Sequence, residues 1–161
     1  MVFKYLVLQI FTLFFMFSGR AQSELLTADN ELSKYAVLFP KGEKITNANF
    51  TGTVYLQTLV KEDIQHPTSV GSVTFEPGAR TKWHIHPGGQ ILLVTEGIGY
   101  YQEKGFSKKT LKKGDVVKCP PNTPHWHGAS VTSFFVQIAI TNTQNGATIW
   151  LNEVVEDEYK R

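Results

Sequence analysis

One cysteine in 161 residues leaves Cys119 no partner for an intrachain disulfide, and it rules out a zinc site built on paired thiolates. Charge is scarce as well. Charged residues make up 19% of the chain, with 16 Lys and Arg against 14 Asp and Glu. Such a balance offers nucleic-acid phosphates no basic surface, so no nucleic-acid partner is expected. Glycine loops that cradle phosphate, a strained nucleophile elbow and a paired-carboxylate site are all missing. Long apolar runs are confined to the first 21 residues. Disorder is excluded in turn, because 42% of the residues are apolar and can bury a core. The length fits one ordinary domain.

The opening stretch MVFKYLVLQIFTLFFMFSGRA has a single early cation, Lys4, then an apolar run from Tyr5 to Phe17, then Ser18, Gly19, Arg20 and Ala21. This order predicts a secretory signal peptide over residues 1–21, cleaved after Ala21. The run falls short of the roughly 20 residues that a membrane span requires. No cysteine follows it, so a lipid anchor is excluded. The mature chain is therefore expected in the periplasm or outside the cell, with no membrane attachment. Losing Lys4 and Arg20 leaves it 14 cations against 14 acids.

Glycine (13), proline (7) and aromatic residues (11 Phe, 6 Tyr, 3 Trp) are abundant, a composition of strands and tight turns. Residues 22–49, broken by Pro40 and Gly42, are expected to form an arm that adds an edge strand. Over residues 50–161, short apolar or alternating runs recur: TVYLQTLV (53–60), SVTF (72–75), ILLV (91–94), DVVKC (115–119) and FFVQIAI (134–140). The clusters HPTS, EPGA, HPGG, KKGD, PPNTP and NTQNG separate them. This rhythm predicts an all-β sandwich or barrel. Only EVVEDEYKR at the end suggests a helical turn. The five lysines of KGFSKKTLKKG (104–114) read as a solvated hairpin tip that discourages edge pairing.

Of five histidines, four fall in two pairs: His84 and His86 in WHIHPGG, His125 and His127 in PPNTPHWHGA. Side chains two apart on a strand share a face, about 6–7 Å from one another. Two such pairs on separate strands can converge on one ion of the kind imidazole favours. Gln90 heads the apolar run ILLV, where a carboxamide needs either a hydrogen-bond partner or a metal. His66, before Pro67, reads as a loop residue. Arg80 and Lys82 share the parity of His84, and solvent exposure is expected for both. Trp83 and Trp126 are expected to face away from the histidines and pack on another sheet or subunit. Cys119 reads as a small buried residue.

These residues carry a resemblance. The chain is similar to the cupins: Gly78, five residues, His84-x-His86, three residues, Gln90, six residues, Gly97, with Gln where that first motif usually has Glu. The second motif follows as Gly114, Pro120, Asn122 in place of Gly, His125, and Ala129 in place of Asn. Asn tolerates positive φ well enough to serve that turn. The resemblance implies an antiparallel double-stranded β-helix, or jelly-roll barrel, assembled as a homodimer. FTGTV (50–54), SVTFEPGARTKWHIHPGGQ (72–90), PHWHGA (124–129) and EVVEDEY resemble one bacterial subfamily of small cupins. It includes manganese-dependent hydroxynitrile lyases and is associated with carboxymuconolactone-decarboxylase-like proteins.

By that resemblance the metal ligands are His84, His86, Gln90 and His125, and His127 is a second pocket histidine. The lyases place a catalytic histidine where this chain has Gln137, so His127 and Gln137 become the candidate catalytic residues. Cyanohydrin cleavage itself is not implied, because a carboxamide cannot accept a proton as imidazole does. The implied cofactor is one divalent ion, manganese favoured, with iron, nickel or zinc as rivals. Neutral ligands leave such an ion its full charge and open positions for a small-molecule substrate. Lyase, isomerase or dioxygenase chemistry on a small oxygen-bearing molecule is the expected function. A non-catalytic, metal-dependent binding or sensing cupin is the alternative. Metal affinity is expected to fall below a pH of about 6.5.

Overall fold

The computed structural model describes residues 38–161. The expected signal peptide and the first part of the arm lie outside the described residues. Twelve strands and one short helix follow in order: β1 (Glu43–Lys44), β2 (Phe50–Thr51), β3 (Val54–Val60), β4 (Thr68–Phe75), β5 (Arg80–Thr81), β6 (His84–Ile85), β7 (Gln90–Glu103), β8 (Lys109–Lys112), β9 (Val116–Cys119), β10 (His125–Ala129), β11 (Phe135–Asn142), β12 (Ile149–Trp150) and α1 (Glu156–Lys160). Among the described residues no helix is long and apolar enough to cross a membrane.

The strands form a curled antiparallel sheet in the order β1-β3-β4-β11-β7-β10-β5-β2. Strand β12 extends β6, which pairs with β10, while β8 and β9 both pair with β7. The result is a curled half-barrel, in keeping with the all-β sandwich or barrel expected from the strand rhythm. Strand β1, in the arm, pairs with β3 at the edge.

The long strand β7 organises the curl. Its first half pairs with β11 and β9, and its second half pairs with β10 and β8. The corner between the halves is Gly97, at φ 75°. A Cβ there would sit 1.9 Å from the carbonyl oxygen of Phe134, so the close approach and the left-handed backbone both demand glycine. Opposite Val136 and Gln137 of β11 the register skips Thr95 of β7, a bulge that accommodates the same bend. Asn122 takes the left-handed conformation, φ 59°, that the second motif requires.

Alternation along the strands fills the inside with Val54, Val73, Phe75, Leu92, Val94, Tyr101 and Phe135. A second cluster lies elsewhere: Trp83, Trp126, Val154 and Tyr159, with Tyr100 against it. Four expectations are corrected here. Trp83 and Trp126 pack on the C-terminal segment of their own chain, not on another sheet or subunit. Arg80 is buried, not solvated: its Nη2 donates to the carbonyl of Val154 (2.9 Å) and to Glu156 (2.8 Å), and it stacks over the ring of Tyr159. Lys82 is only part-exposed and faces Glu153 at 3.5 Å. The physical reason is common to all of these. The chain returns over this face, and α1 carries Glu156, Glu158 and Tyr159 back onto it. The lysine hairpin is likewise only partly free: Lys104 pairs with Glu158 and lies over Trp83, and Lys108 donates to the carbonyl of Tyr159.

Candidate metal centre

The antiparallel register brings the two histidine pairs together. His84 on β6 lies directly opposite His125 on β10, and their ring centroids are 4.3 Å apart. His86 leaves β6 in the following turn. Its carbonyl accepts from the N–H groups of Gly89 and Asn122, so the left-handed turn at Asn122 anchors the first motif to the second. The His86 ring stands 4.9 Å from that of His84 and 5.5 Å from that of His125. His127, two residues along β10, is 5.2 Å from His84 and 6.1 Å from His125. Gln90 opens β7 opposite Thr141 of β11, whose hydroxyl oxygen accepts from the carboxamide at 2.9 Å. Gln137, on β11 at the bulge, contacts His127: its Nε2 lies 2.9 Å from the imidazole Nδ1. All six side chains singled out in the sequence are therefore gathered and buried. His66 is not among them; it sits exposed beside Asp63.

Each imidazole is held from behind. His84 Nδ1 meets the carbonyl of Lys82 at 2.9 Å, and His125 Nδ1 meets that of Thr123 at 2.9 Å. His86 Nδ1 faces the hydroxyl of Thr148 at 3.1 Å. Such contacts fix ring orientation and leave the opposite nitrogen directed at the site. The ring of Trp150 covers His84 at 5.0 Å, and Phe75 meets His127 edge-on. Thr141, Thr148 and Trp150 were missed in the sequence. Thr148 and Trp150 follow a turn in a stretch without period, and only the pairing of β12 with β6 brings them to the histidines.

Burial disfavours charge on every ring. It holds His84 and His127 well below the ordinary imidazole value, with neighbouring imidazoles adding to the effect. His86 is lowered to about 4, by burial first and then by His125. His125 is lowered by burial, against a smaller opposing pull from the Thr123 carbonyl and Glu103. All four are neutral at neutral pH, the form that ligates a metal. Burial pushes the Cys119 thiol up to about 12, which makes it a packed residue and not a nucleophile.

The unsatisfied atoms point the same way. Among the described residues, His86 Nε2, Gln90 Oε1, His125 Nε2 and Gln137 Oε1 are buried without a hydrogen-bond partner. Each such atom costs about 1–3 kcal/mol if left unpaired. A cation accepts lone pairs from imidazole and carboxamide alike, so this donor set fits a divalent ion. Ring nitrogens of His84, His125 and His127 also lie within 4.8 Å of one another. Centroid distances, by contrast, set His86 closer than His127 to the His84–His125 pair. Past Gln90, Thr141 forms part of the wall of a half-open cavity of about 510 Å³, with Leu56, Thr58, Val60, Val73 and Ala139.

Comparison with known proteins identifies the family and the fold. Residues 71–134 match the family model for the cupin domain. Over 113 residues the chain is 42% identical to an (R)-mandelonitrile lyase of Granulicella tundricola, covering 70% of this chain and 86% of that protein. A cupin-like protein of Thermotoga maritima is 48% identical, with a TM-score of 0.75 over 78% of this chain and 96% of its own. A DMSP lyase of Ruegeria pomeroyi shares the fold alone, at 18% identity and a TM-score of 0.55, over 73% of this chain and 61% of its own.

Proposed function

The chain belongs to the cupin family, and from that premise we propose an exported metalloenzyme that acts on a small oxygen-bearing molecule. In this reading His84, His86, Gln90 and His125 hold one divalent ion. The observation that carries it is the set of buried, unpartnered ligand atoms, His86 Nε2, Gln90 Oε1 and His125 Nε2, beside His84. Buried polar atoms without partners are rare, and a site that collects several of one kind is built for an external group. When bound there, the ion would supply Lewis acidity undiminished by its neutral ligands. Manganese is favoured over iron, nickel and zinc on the resemblance.

The chain's own residues do the rest. Thr141 turns the Gln90 carboxamide, and Thr148 with the carbonyls of Lys82 and Thr123 orients the ligand rings. His127 contacts the bound molecule, with Gln137 against its Nδ1. The cavity bordered by Thr141 has room for an apolar body. The related mandelonitrile lyase favours lyase chemistry among the lyase, isomerase and dioxygenase reactions such a site supports. Gln137 supports a second reading, a metal-dependent binding or sensing protein without turnover, because the resemblance expects a proton-accepting histidine there.

Metal analysis followed by a panel of hydroxy and carbonyl compounds decides between the two. Turnover that vanishes on chelation supports the enzyme, whereas tight metal-dependent binding without turnover supports the sensor. A folded protein that takes up no divalent ion refutes both. Export rests on residues 1–21, and N-terminal sequencing of native protein that begins at Met1 refutes it. A homodimer is proposed as well, tested by light scattering of the mature chain.

A further inference from the structure

Four imidazoles meet at the centre, and the group that faces each Nδ1 sorts them. The Nδ1 atoms of His84 and His125 face backbone carbonyls. A carbonyl only accepts, so these two rings carry the proton on Nδ1 and keep a lone pair on Nε2. His86 Nδ1 faces the Thr148 hydroxyl, which accepts as readily as it donates, and its Nε2 is buried and unpartnered. His127 differs. Its Nδ1 lies 2.9 Å from the carboxamide nitrogen of Gln137, a group that only donates. A neutral ring that receives a hydrogen bond on Nδ1 carries its own proton on Nε2.

The orientation of Gln137 has a second support. The side chain is wholly buried, and its Oε1 has no partner among the described residues. Reversing the carboxamide would bury an unpartnered NH2 group in place of the oxygen. Beside a site for a divalent cation, the oxygen end is attracted and the NH2 end repelled. The field of the centre and the hydrogen bond to His127 therefore select one orientation.

We propose that Gln137 is a positioning residue that holds His127 as an Nε2–H hydrogen-bond donor, outside the metal's ligand set. This suits the site to molecules that present an acceptor, an anionic or carbonyl oxygen, and not to a hydroxyl that must surrender its proton to His127. The inference rests on the metal reading above. It also separates His127 from His84 and His125, although ring nitrogens of all three lie within 4.8 Å of one another.

The test is long-range proton–nitrogen NMR on the full chain with 15N-labelled histidine, loaded with zinc, which is diamagnetic. His84, His86 and His125 are expected with Nδ1 protonated and Nε2 on zinc, and His127 with Nε2 protonated and Nδ1 bare. Gln137→Glu replaces a donor by a group that only accepts, and is expected to reverse His127 to the Nδ1–H form. Gln137→Leu, which adds no buried charge, is expected to leave His127 as a mixture of the two forms. Nδ1–H on His127 in the unsubstituted protein, or zinc bound to His127, overturns the inference. So does an unchanged Nε2–H form in Gln137→Leu. Absence of zinc from His84, His86 and His125 sinks the metal reading instead. The zinc-free labelled protein then still decides the inference: Nε2–H on His127 upholds it and Nδ1–H overturns it.

Discussion

Acid should dismantle the metal-free protein through its own histidines. His84, His86, His125 and His127 all have depressed pKa values, so at mildly acid pH the unfolded chain binds protons that the fold refuses. Stability then rises with pH, and its histidine share is fully present above the unfolded value of about 6.5. As pH falls below that, the share is lost, and for His86 the loss is complete only below about 4. From about 6.5 to about 4, His86 alone is worth roughly 3 kcal/mol. The other three rings are lowered for the same reason and add to that loss, so the slope exceeds what one ring gives. Denaturant titrations of chelated protein between pH 7 and 5 measure the slope while carboxylates stay ionised. A slope under about 1.4 kcal/mol per unit, the share of a single proton, refutes the reasoning. The same depressed values revise the sequence-based expectation for metal binding. Protons that the folded rings refuse do not compete with the ion, so affinity should begin to fall at a pH lower than about 6.5, the His86 ligand being lost only towards about 4.

Removing one ligand ring, as in His86→Ala, should strip most of the divalent ion, whereas His127→Ala should keep it; metal stoichiometry by mass spectrometry reads both. Gln90→Glu should retain the ion, since carboxylate is a good ligand, but should weaken its Lewis acidity, seen as a raised pKa for metal-bound water in the pH profile of any turnover. Gly97→Ala should cost well over 1 kcal/mol in chemical denaturation, because φ 75° and the Phe134 carbonyl both oppose a Cβ. Arg80→Ala should cost about 2–3 kcal/mol, since it leaves the buried Val154 carbonyl without its donor. An equal thermal midpoint for that variant would contradict the burial argument.

The parts of the site that local pattern encodes were readable from the sequence. The spacing of His84 and His86 follows the period of two of a strand, and the turn clusters at HPGG and PPNTP mark where the strands carrying them begin and end. Asn122 was readable because its turn needs a left-handed residue, and Gln137 through the resemblance, which sets it where the lyases have a histidine. Thr141, Thr148 and Trp150 were not readable, since each reaches the site through cross-strand register over 50 residues or more. Arg80 was misplaced for the same reason. Its parity with His84 is visible in the chain, but the carbonyl and the carboxylate that bury it belong to residues 154 and 156.

The C-terminal stretch tends both faces of the histidine strands. Along β10 the imidazoles of His125 and His127 alternate with the indole of Trp126, and Trp83 precedes His84 in the same alternation. On the inner side, Thr148 and Trp150 reach His86 and His84. On the outer side, Glu158 takes the indole N–H of Trp83, and Tyr159 packs on Trp126 while its hydroxyl donates to the carbonyl of Ala129. A ligand set buried in this way needs rings that cannot drift, because a displaced imidazole exposes an unpaired nitrogen to an apolar wall. Backbone pairing fixes the strands, but strands as short as β6 hold their side chains weakly on their own. By pairing the two-residue β6 with β10 and β12, and by packing α1 on the Trp83 that precedes it and the Trp126 of β10, the fold supplies a rigid frame where the sheet is thinnest. The stretch that carries this frame has no histidine of its own, yet its sequence constrains the geometry of the centre as tightly as the ligands do.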